Sequence, residues 1–474
     1  MVSRNCTFKK SISSLSAIVL MGSQAFVLAE KPNIILVMAD DQGWGDTGFN
    51  GHPILKTPNM DAMAKSGLVL NQFYAGAPVC SPTRGSVLTG RNNNRVDILN
   101  HGHFMADKEY TIANALKGAG YVTGHFGKWH IGSVQAGSKS NPTARGYDEW
   151  IIGANFFDTD PYLSNKGKVK QYKGDSSEIV IEHTIDFLKK HKDTGKPMFA
   201  VAWYSSPHVP HAEKPKSNPD MYKGVKGEPY FSEITALDET LGTLRKALRE
   251  MKIADNTIVW YCSDNGGLMK ESSGGRAKKG SIYEGGLRVP SIIEWPDKIK
   301  PSESNIPSST SDMMPTLLAM AGVKAELPHP IDGESLAGLL DGSLEKRAKG
   351  IGFWRHARGG SPTWNDKLLK AIMEAQKAGK PSPFPERIKG KTKIEQHPLD
   401  KFPGHSAWLE YPWKLHRIEK NGSVRYELYH LKNDPMEEKN LIDSEKKRAA
   451  EMKQAHQAWL VSVVKSLNGE DYKK

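Results

Sequence analysis

Two pairs of hard oxygen ligands carry the first chemical signal. Asp40-Asp41 follows the apolar run Ile34 to Ala39, and Asp264-Asn265 follows the run Thr257 to Cys262 after one serine. In open parallel sheets, ligands bind at the carboxyl ends of strands. Three carboxylates and an amide oxygen gathered there form a hard donor set that suits Ca²⁺ or Mg²⁺ rather than zinc. Without a cation the carboxylates would repel one another. One pair alone could simply cap a turn; two pairs, each after a buried strand, favour a metal.

Cationic side chains recur at the same kind of place. Phe126-Gly-Lys-Trp-His-Ile-Gly132 sets Lys128 and His130 after one strand, and Ser205-Ser-Pro-His208 sets His208 after another. A glycine-rich loop, Gly274 to Gly280, carries Arg276, Lys278 and Lys279. Singly these are ordinary basic loops. Together, beside a metal, they are equipped to hold a tetrahedral anion. Cys80 is the remaining oddity: it sits in Ala77-Pro-Val-Cys-Ser-Pro-Thr-Arg84, where a helix is ready to start. Pro82 suits a first helical turn, and a helix N-terminus favours an anion.

The elements that must position these groups read as buried strands alternating with helices. Lys31 to Ala39 is an apolar run of the kind found in parallel sheets. Tyr110 to Ala119 has helical spacing, closed by Gly118 and Gly120, and the strand Tyr121 to Phe126 follows. An amphipathic helix over Ile179 to Lys190 precedes a strand over Met198 to Tyr204. A long helix over Phe231 to Met251, with Leu237, Leu241, Leu244 and Leu248 on one face, precedes the strand Thr257 to Cys262. The alternation predicts an α/β fold with a large, mixed, mostly parallel sheet sandwiched by helices. The pattern shifts near residue 345. The segment His356 to Pro403 is rich in Lys, Pro and His, with one short helix near Leu368 to Ala378. Trp413 to Ile418 and Val424 to Leu431 then read as an antiparallel hairpin turning at Asn421-Gly422, and a terminal helix starts near Ser444. The expected organisation is a larger domain over 30–345 and a smaller α+β subdomain over 346–474, a short antiparallel sheet plus a helix.

The bulk properties narrow the setting. Arg4, Lys9 and Lys10 precede an apolar, small-residue stretch ending at Val27-Leu28-Ala29, the layout of a signal peptide over 1–29. The stretch is too short and serine-rich to span a membrane. An exported protein, periplasmic or secreted, is expected. The chain has 3 cysteines, and Cys6 lies in the leader. Cys80 and Cys262 leave room for one disulfide at most; Cys262, in an apolar strand, reads as a buried small hydrophobe. The formal charge of +12, less the three cations Arg4, Lys9 and Lys10, leaves +9 on the mature chain and points to an anionic partner. No nucleic-acid-binding module is recognised, so neither nucleic acid nor membrane is the expected partner.

Taken together, the pieces resemble a known family. Cys80-Ser-Pro-Thr-Arg84 with Gly85 and Leu88-Thr-Gly-Arg91 resembles the signature of type I formylglycine-dependent sulfatases, of the alkaline phosphatase superfamily. Gly120-Tyr121 with Gly127-Lys-Trp-His130 is similar to their second signature. Asp40-Asp41-Gln-Gly43, Pro207-His-Val-Pro210, Ser263-Asp-Asn-Gly266, Lys279-Gly-Ser281 and Glu284-Gly-Gly-Leu-Arg-Val-Pro290 match in order, and Leu428-Tyr429, Asp434-Pro435 and Asn440-Leu441 resemble the family tail. The resemblance covers Lys31 to Ile442.

That resemblance implies roles for the residues. Cys80 would be oxidised to formylglycine by a maturation enzyme, and its hydrated aldehyde would be the nucleophile. Asp40, Asp41, Asp264 and Asn265, with the converted residue at 80, would hold Ca²⁺, or Mg²⁺ in its place. Arg84 would anchor the diol. Lys128, His208 and Lys279 would bind sulfate oxygens, His208, alone or with Lys279, would protonate the leaving alcohol, and His130 would take a proton from the second diol oxygen. The implied reaction is hydrolysis of a sulfate ester. The basic, exported chain favours a sulfated polysaccharide or oligosaccharide, the substrate class of bacterial polysaccharide sulfatases. Candidate substrate contacts outside the shared core are His101, His103, Arg276, Arg358, His405 and Trp408, with His356, Trp364, Lys389, Lys391 and Lys393 in the same variable region; aromatics there could stack on sugar faces. The competing expectations are a formylglycine-dependent phosphonate or phosphate ester hydrolase and a catalytically inactive binder of anionic glycans.

Overall fold

The computed structural model describes residues 1–2, 31–211, 220–389 and 394–472. All but the first two residues of the expected signal peptide, and also Lys391 and Lys393, fall outside them. Asn33–Ala39 is buried at every position, as a strand covered on both faces requires. It pairs in parallel with Met198–Trp203 on one side and with Thr257–Ser263 on the other. Val122–Lys128 and Glu149–Gly153 continue the parallel set beyond Met198–Trp203. Ser291–Glu294 lies antiparallel to Thr257–Ser263, followed by Leu68–Leu70 and Ser302–Ser304. At the far edge Tyr162–Asn165 and Lys168–Gln171 add two antiparallel strands, for ten in all.

Alternate residues of a strand face opposite sides of a sheet. Ile34, Leu36 and Met38 enter one apolar layer with Leu88 of the helix Cys80–Thr89 and Leu317 of the helix Met313–Met320. Ile35, Val37 and Ala39 enter the other, with Ile181 and Ile185 of Ser176–His191 and Leu237, Leu241 and Leu244 of Glu228–Glu250. This is the predicted helix-covered, mostly parallel sheet. One glycine matters to its geometry. Gly127 has φ +103°, and a Cβ there would run into the Trp203 carbonyl oxygen opposite it. Only glycine lets the strand lie that close to its neighbour and still deliver the next residue, Lys128, at its end.

A second sheet of four antiparallel strands runs Ile351–His356, Gly404–Glu410, Trp413–Lys420, Ser423–His430. The helix Lys446–Leu467 packs on it, with Met452, Leu460 and Val463 against Trp354, Leu415 and Leu428. The expected hairpin turn has φ +53° at Asn421 and +83° at Gly422, the left-handed pair of a two-residue hairpin loop. The first two strands of this sheet, which flank the Lys-, Pro- and His-rich segment His356 to Pro403, were not expected.

Buried histidines make the fold acid-sensitive. Burial among Trp129, Tyr147 and Trp203 holds His125 at about 3. Burial, reinforced by Arg417, holds His456 at about 3 as well. In an unfolded chain both titrate near the ordinary value of about 6.5. Between those limits the unfolded state binds protons that the folded state refuses, so stability is lost as pH falls through 6.5 towards 3. Each group contributes about 1.4 kcal/mol per pH unit inside the window. The thermal midpoint should hold steady from pH 8 to 7 and fall progressively from pH 6.5 to 4, with a shallower fall for His456→Phe.

Candidate active site

The candidate residues collect where the parallel strands end. Asp40 and Asp41 follow Asn33–Ala39, Asp264 and Asn265 follow Thr257–Ser263, Lys128 closes Val122–Lys128, and the chain leaving Met198–Trp203 leads to His208. Register places the two acid pairs at one level: Ala39 lies opposite Ser263, and the Asp264 N–H donates to the Ala39 carbonyl at 3.1 Å. The helix Cys80–Thr89 brings Cys80 in its first turn and Arg84 one turn later, on the same side. Lys279 arrives on the glycine-rich loop, whose Gly280 N–H donates to the Pro78 carbonyl just before the helix. Asp41 and His130 have φ of +76° and +57°. Non-glycine residues rarely adopt such conformations, and they concentrate at functional sites.

The contacts interlock. Arg84 Nη2 donates to Asp264 Oδ2 at 2.7 Å and lies 3.5 Å from Asp40 Oδ2, its guanidinium over the Trp203 ring. Lys128 Nζ pairs with the same Asp40 oxygen. Lys279 Nζ pairs with Asp41 Oδ2 at 2.6 Å, and His208 Nε2 stands 3.8 Å from that oxygen. Asn265 Nδ2 donates to Asp41 Oδ1 at 2.8 Å. Cys80 Sγ and His130 Nδ1 are 3.3 Å apart. Asp40, Asp41, Arg84, Lys128, Asp264 and Asn265 are wholly buried, and Cys80 and His130 nearly so. Cys80 and Cys262 are both free and buried.

Burial at this depth moves the titrations. It pushes the Cys80 thiol up despite Lys128, so at neutral pH the sulfur is a protonated thiol and not a thiolate nucleophile. Burial, with Lys128 and Arg84 beside it, drives His130 well below the ordinary histidine value and leaves it a neutral base. Burial also lowers His208, against the opposing pull of Asp41 and Asp40. Burial acts against the Lys279 cation, but Asp41 and its neighbours outweigh it and raise the pKa. Among the acids, burial tends to protonate Asp40, yet Lys128, His208 and Arg84 prevail and hold it low. Asp264 is pushed up by burial and by Asp40. Three carboxylates in one dry site therefore do not share it comfortably.

The residues fit a divalent ion. Asp40 Oδ1 and Asn265 Oδ1 are buried acceptor oxygens with no hydrogen-bond donor among the described residues. Ligand atoms of Asp40, Cys80 and Asp264 lie within 4.8 Å of one another, as do those of Asp40, Asp41 and His208. Unsatisfied buried oxygens are costly unless something binds them, and the oxygens of Asp40, Asp41, Asp264 and Asn265 suit a hard cation.

Around the mouth the expected substrate residues divide. Burial lowers the pKa of His101, and Lys279, Lys128 and Arg355 lower it further. The His103 ring meets the Gly359 carbonyl at 3.0 Å, and Arg358 pairs with Glu395; all three of His103, Arg358 and Glu395 line a cleft of about 800 Å³. Arg276, His405 and Trp408 make internal contacts. Arg276 stacks on Tyr283 and donates to the Glu437 carbonyl at 2.8 Å. His405 meets His416 at 2.9 Å. Trp408 is buried against Trp459 and His456 and donates to Glu410. The adjacent lysines separate too: Lys278 is exposed and donates to the Leu268 carbonyl, while Lys279 enters the site.

Residues beyond those expected complete the site. Trp203 lies under Arg84, and Phe156 packs on His208 with centroids 5.3 Å apart. A buried ionic seam joins the second sheet to the loop bearing Lys279. Lys414 Nζ lies 2.8 Å from Glu284 Oε1 and 3.4 Å from Glu437 Oε1, and Glu437 also accepts from His416 and from the Glu284 N–H. Trp203 looks like any apolar strand residue. Lys414 carried a faint signal, a charge inside an otherwise strand-like run. Lys414→Met would leave two buried carboxylates facing each other, a loss of about 3–5 kcal/mol, read as a lower denaturation midpoint with unchanged slope in urea.

A family model for Sulfatase matches residues 32–323. The N-acetylgalactosamine-6-sulfatase of Sus scrofa is 31% identical over 362 residues, 67% of this chain and 68% of that protein. The ulvan-active sulfatase of Formosa agariphila is 30% identical over 336 residues, 65% of each chain. Among solved structures, Ps i-CgsB in complex with k-i-k-neocarrahexaose has the same fold, with a TM-score of 0.73 at 24% identity, over 93% of this chain and 98% of that one.

Proposed function

The chain belongs to the sulfatase family of sulfuric ester hydrolases, and on that premise we propose that it releases inorganic sulfate from a sulfated polysaccharide or oligosaccharide after Cys80 has been converted to formylglycine. The observation that carries this reading is the setting of Cys80. It lies buried at a helix N-terminus as an unreactive thiol, among three cations, beside carboxylates that ask for a metal. A converted residue 80 would supply a hydrated aldehyde oxygen as the nucleophile towards sulfur. Ca²⁺, or Mg²⁺, held by Asp40, Asp41, Asp264 and Asn265 would acidify that nucleophile and neutralise sulfate charge.

The chain's own side chains do the rest. Arg84, Lys128 and Lys279 match the three buried carboxylates in number, so a divalent ion tips the site positive and makes it a receptor for an anion. Lys128, Lys279 and His208 hold sulfate oxygens. His208 is neutral in the free site; an arriving sulfate ester supplies the negative charge that favours its imidazolium. It then gives the Nε2 proton to the departing sugar oxygen. Neutral His130, with Nδ1 beside residue 80, accepts the proton that residue must lose to release sulfate. The relatives named for galactosamine 6-sulfate and ulvan favour a carbohydrate as the alcohol, as does the basic charge. No helix among the described residues is long and apolar enough to cross a membrane, and the leader composition supports export to a periplasm or the medium.

Sulfate release, followed by ion chromatography from carrageenans, fucoidan, ulvan, chondroitin sulfate and heparin, tests the substrate class. The protein is co-expressed with a formylglycine-generating enzyme, and a phosphate and a phosphonate ester are included. Release from one sulfated glycan family is expected. Turnover of the phosphorus esters alone would replace this reading with the phosphonate or phosphate hydrolase. Tight glycan binding without release would favour the inactive binder.

A further inference from the structure

The segment from Arg355 to Asn365 wraps the mouth of the site and touches three of its walls. Arg355 reaches the Gly280 carbonyl beside Lys279. Gly360 lies flat on the His101 ring, where a Cβ would collide with the imidazole, and the Ser361 N–H donates to the His101 carbonyl at 2.9 Å. Further on, the Thr363 carbonyl accepts from Asn155 Nδ2 at 2.8 Å, and Asn365 Oδ1 accepts from the Ala154 N–H at 2.7 Å. Asn155 precedes Phe156, whose ring packs on His208.

Trp364 sits in the middle of this last anchor. Thr363 and Asn365 on either side are 7% and 3% exposed, while Trp364 is 73% exposed. Tryptophan is among the most thoroughly buried residue types on average. Here its neighbours Thr363 and Asn365 are held by polar partners while the indole is left in water; Val209, next to His208, is exposed as well. The mouth also carries cations: Arg355, on the same segment, reaches the Gly280 carbonyl next to Lys279. A sugar ring offers a complement to both: an apolar face of C–H groups and a rim of hydroxyl and anionic groups. Fixed aromatic faces reward such contact at small entropic cost.

We propose that Trp364 is the stacking platform for the sugar adjoining the one that carries the scissile sulfate, so that the preferred substrate is a sulfated chain of at least two sugars and not a sulfated monosaccharide. Phe156, which touches His208, flanks the sulfated ring itself, and Trp364 is tied to it through Thr363 and Asn155. This inference rests on the sulfatase reading above.

The test compares sulfated hexasaccharides with the corresponding sulfated monosaccharide, from whichever polymer releases sulfate. For wild type, kcat/KM should favour the hexasaccharide. Trp364→Ala should lose about tenfold or more on the hexasaccharide, chiefly in KM, and less than threefold on the monosaccharide; Trp364→Phe should recover most of it. Equal losses on both substrates, or no loss on the hexasaccharide, would overturn the platform. A binding arm separates this failure from that of the parent reading. Titration of that same hexasaccharide into Cys80→Ala and into Cys80→Ala/Trp364→Ala needs no turnover. Binding that weakens about tenfold in the double variant supports the platform; equal binding in the two refutes it.

Discussion

Cys80→Ser should retain the fold and lose sulfate turnover by about a thousandfold or more. Position 80 is buried and small, and the hydroxyl inherits the partner that the thiol has in His130 at 3.3 Å. The thermal midpoint should therefore stay within a few degrees of wild type. The chemical loss has a specific cause. In the proposed mechanism a hydrated formylglycine has two oxygens on one carbon, one to attack sulfur and one whose deprotonation by His130 would expel sulfate. Serine has only the first. Cys80→Ser should accordingly take up about one sulfate per chain and stop, seen as a mass increase on the residue 80 peptide, whereas Cys80→Ala takes up none. Steady turnover by the serine variant would mean that the second oxygen is dispensable and the mechanism wrong.

Removing the divalent ion should abolish activity while leaving the chain folded. Each carboxylate already has a protein partner: Asp40 has Lys128 and Arg84, Asp41 has Lys279 and Asn265, and Asp264 has Arg84. Asp264, pushed upward by burial and Asp40, can also take a proton. The charge problem in the empty site is thus partly solved, unlike that of a small zinc domain that unfolds without metal. Chelation should cut sulfate release more than a hundredfold, with Ca²⁺ restoring it. At a hundred times its dissociation constant the ion adds about 2.7 kcal/mol, a rise of a few degrees in Tm. Unfolding on chelation would show that the cations do not compensate the acids as described.

Much of this was legible in the chain because the key residues follow fully buried strands. Asn33–Ala39 and Thr257–Ser263 are continuous apolar runs that a parallel sheet requires, and an acid directly after such a run is conspicuous. Lys128 was visible for the same reason. The second sheet was harder. Ile351–His356 and Gly404–Glu410 flank a Lys-, Pro- and His-rich stretch, and Trp354 and Trp408 became structural only through distant partners, Phe402 and Trp459. Periodicity cannot show contacts made across 50 residues by a terminal helix. That is also why Trp408 reads as a sugar-stacking residue in sequence and as core in the fold. Trp364, in the same stretch, is the aromatic left exposed, since its buried neighbours Thr363 and Asn365 turn towards the sheet.

The central claim is that the aldehyde form of residue 80 performs the reaction. Preparations made with graded amounts of formylglycine-generating enzyme allow it to be tested directly. The converted fraction at position 80 is measured by peptide mass, and the sulfate-release rate is measured on the same samples. The account predicts a rate proportional to the converted fraction, on a line through the origin. Full activity in fully unconverted protein would contradict it.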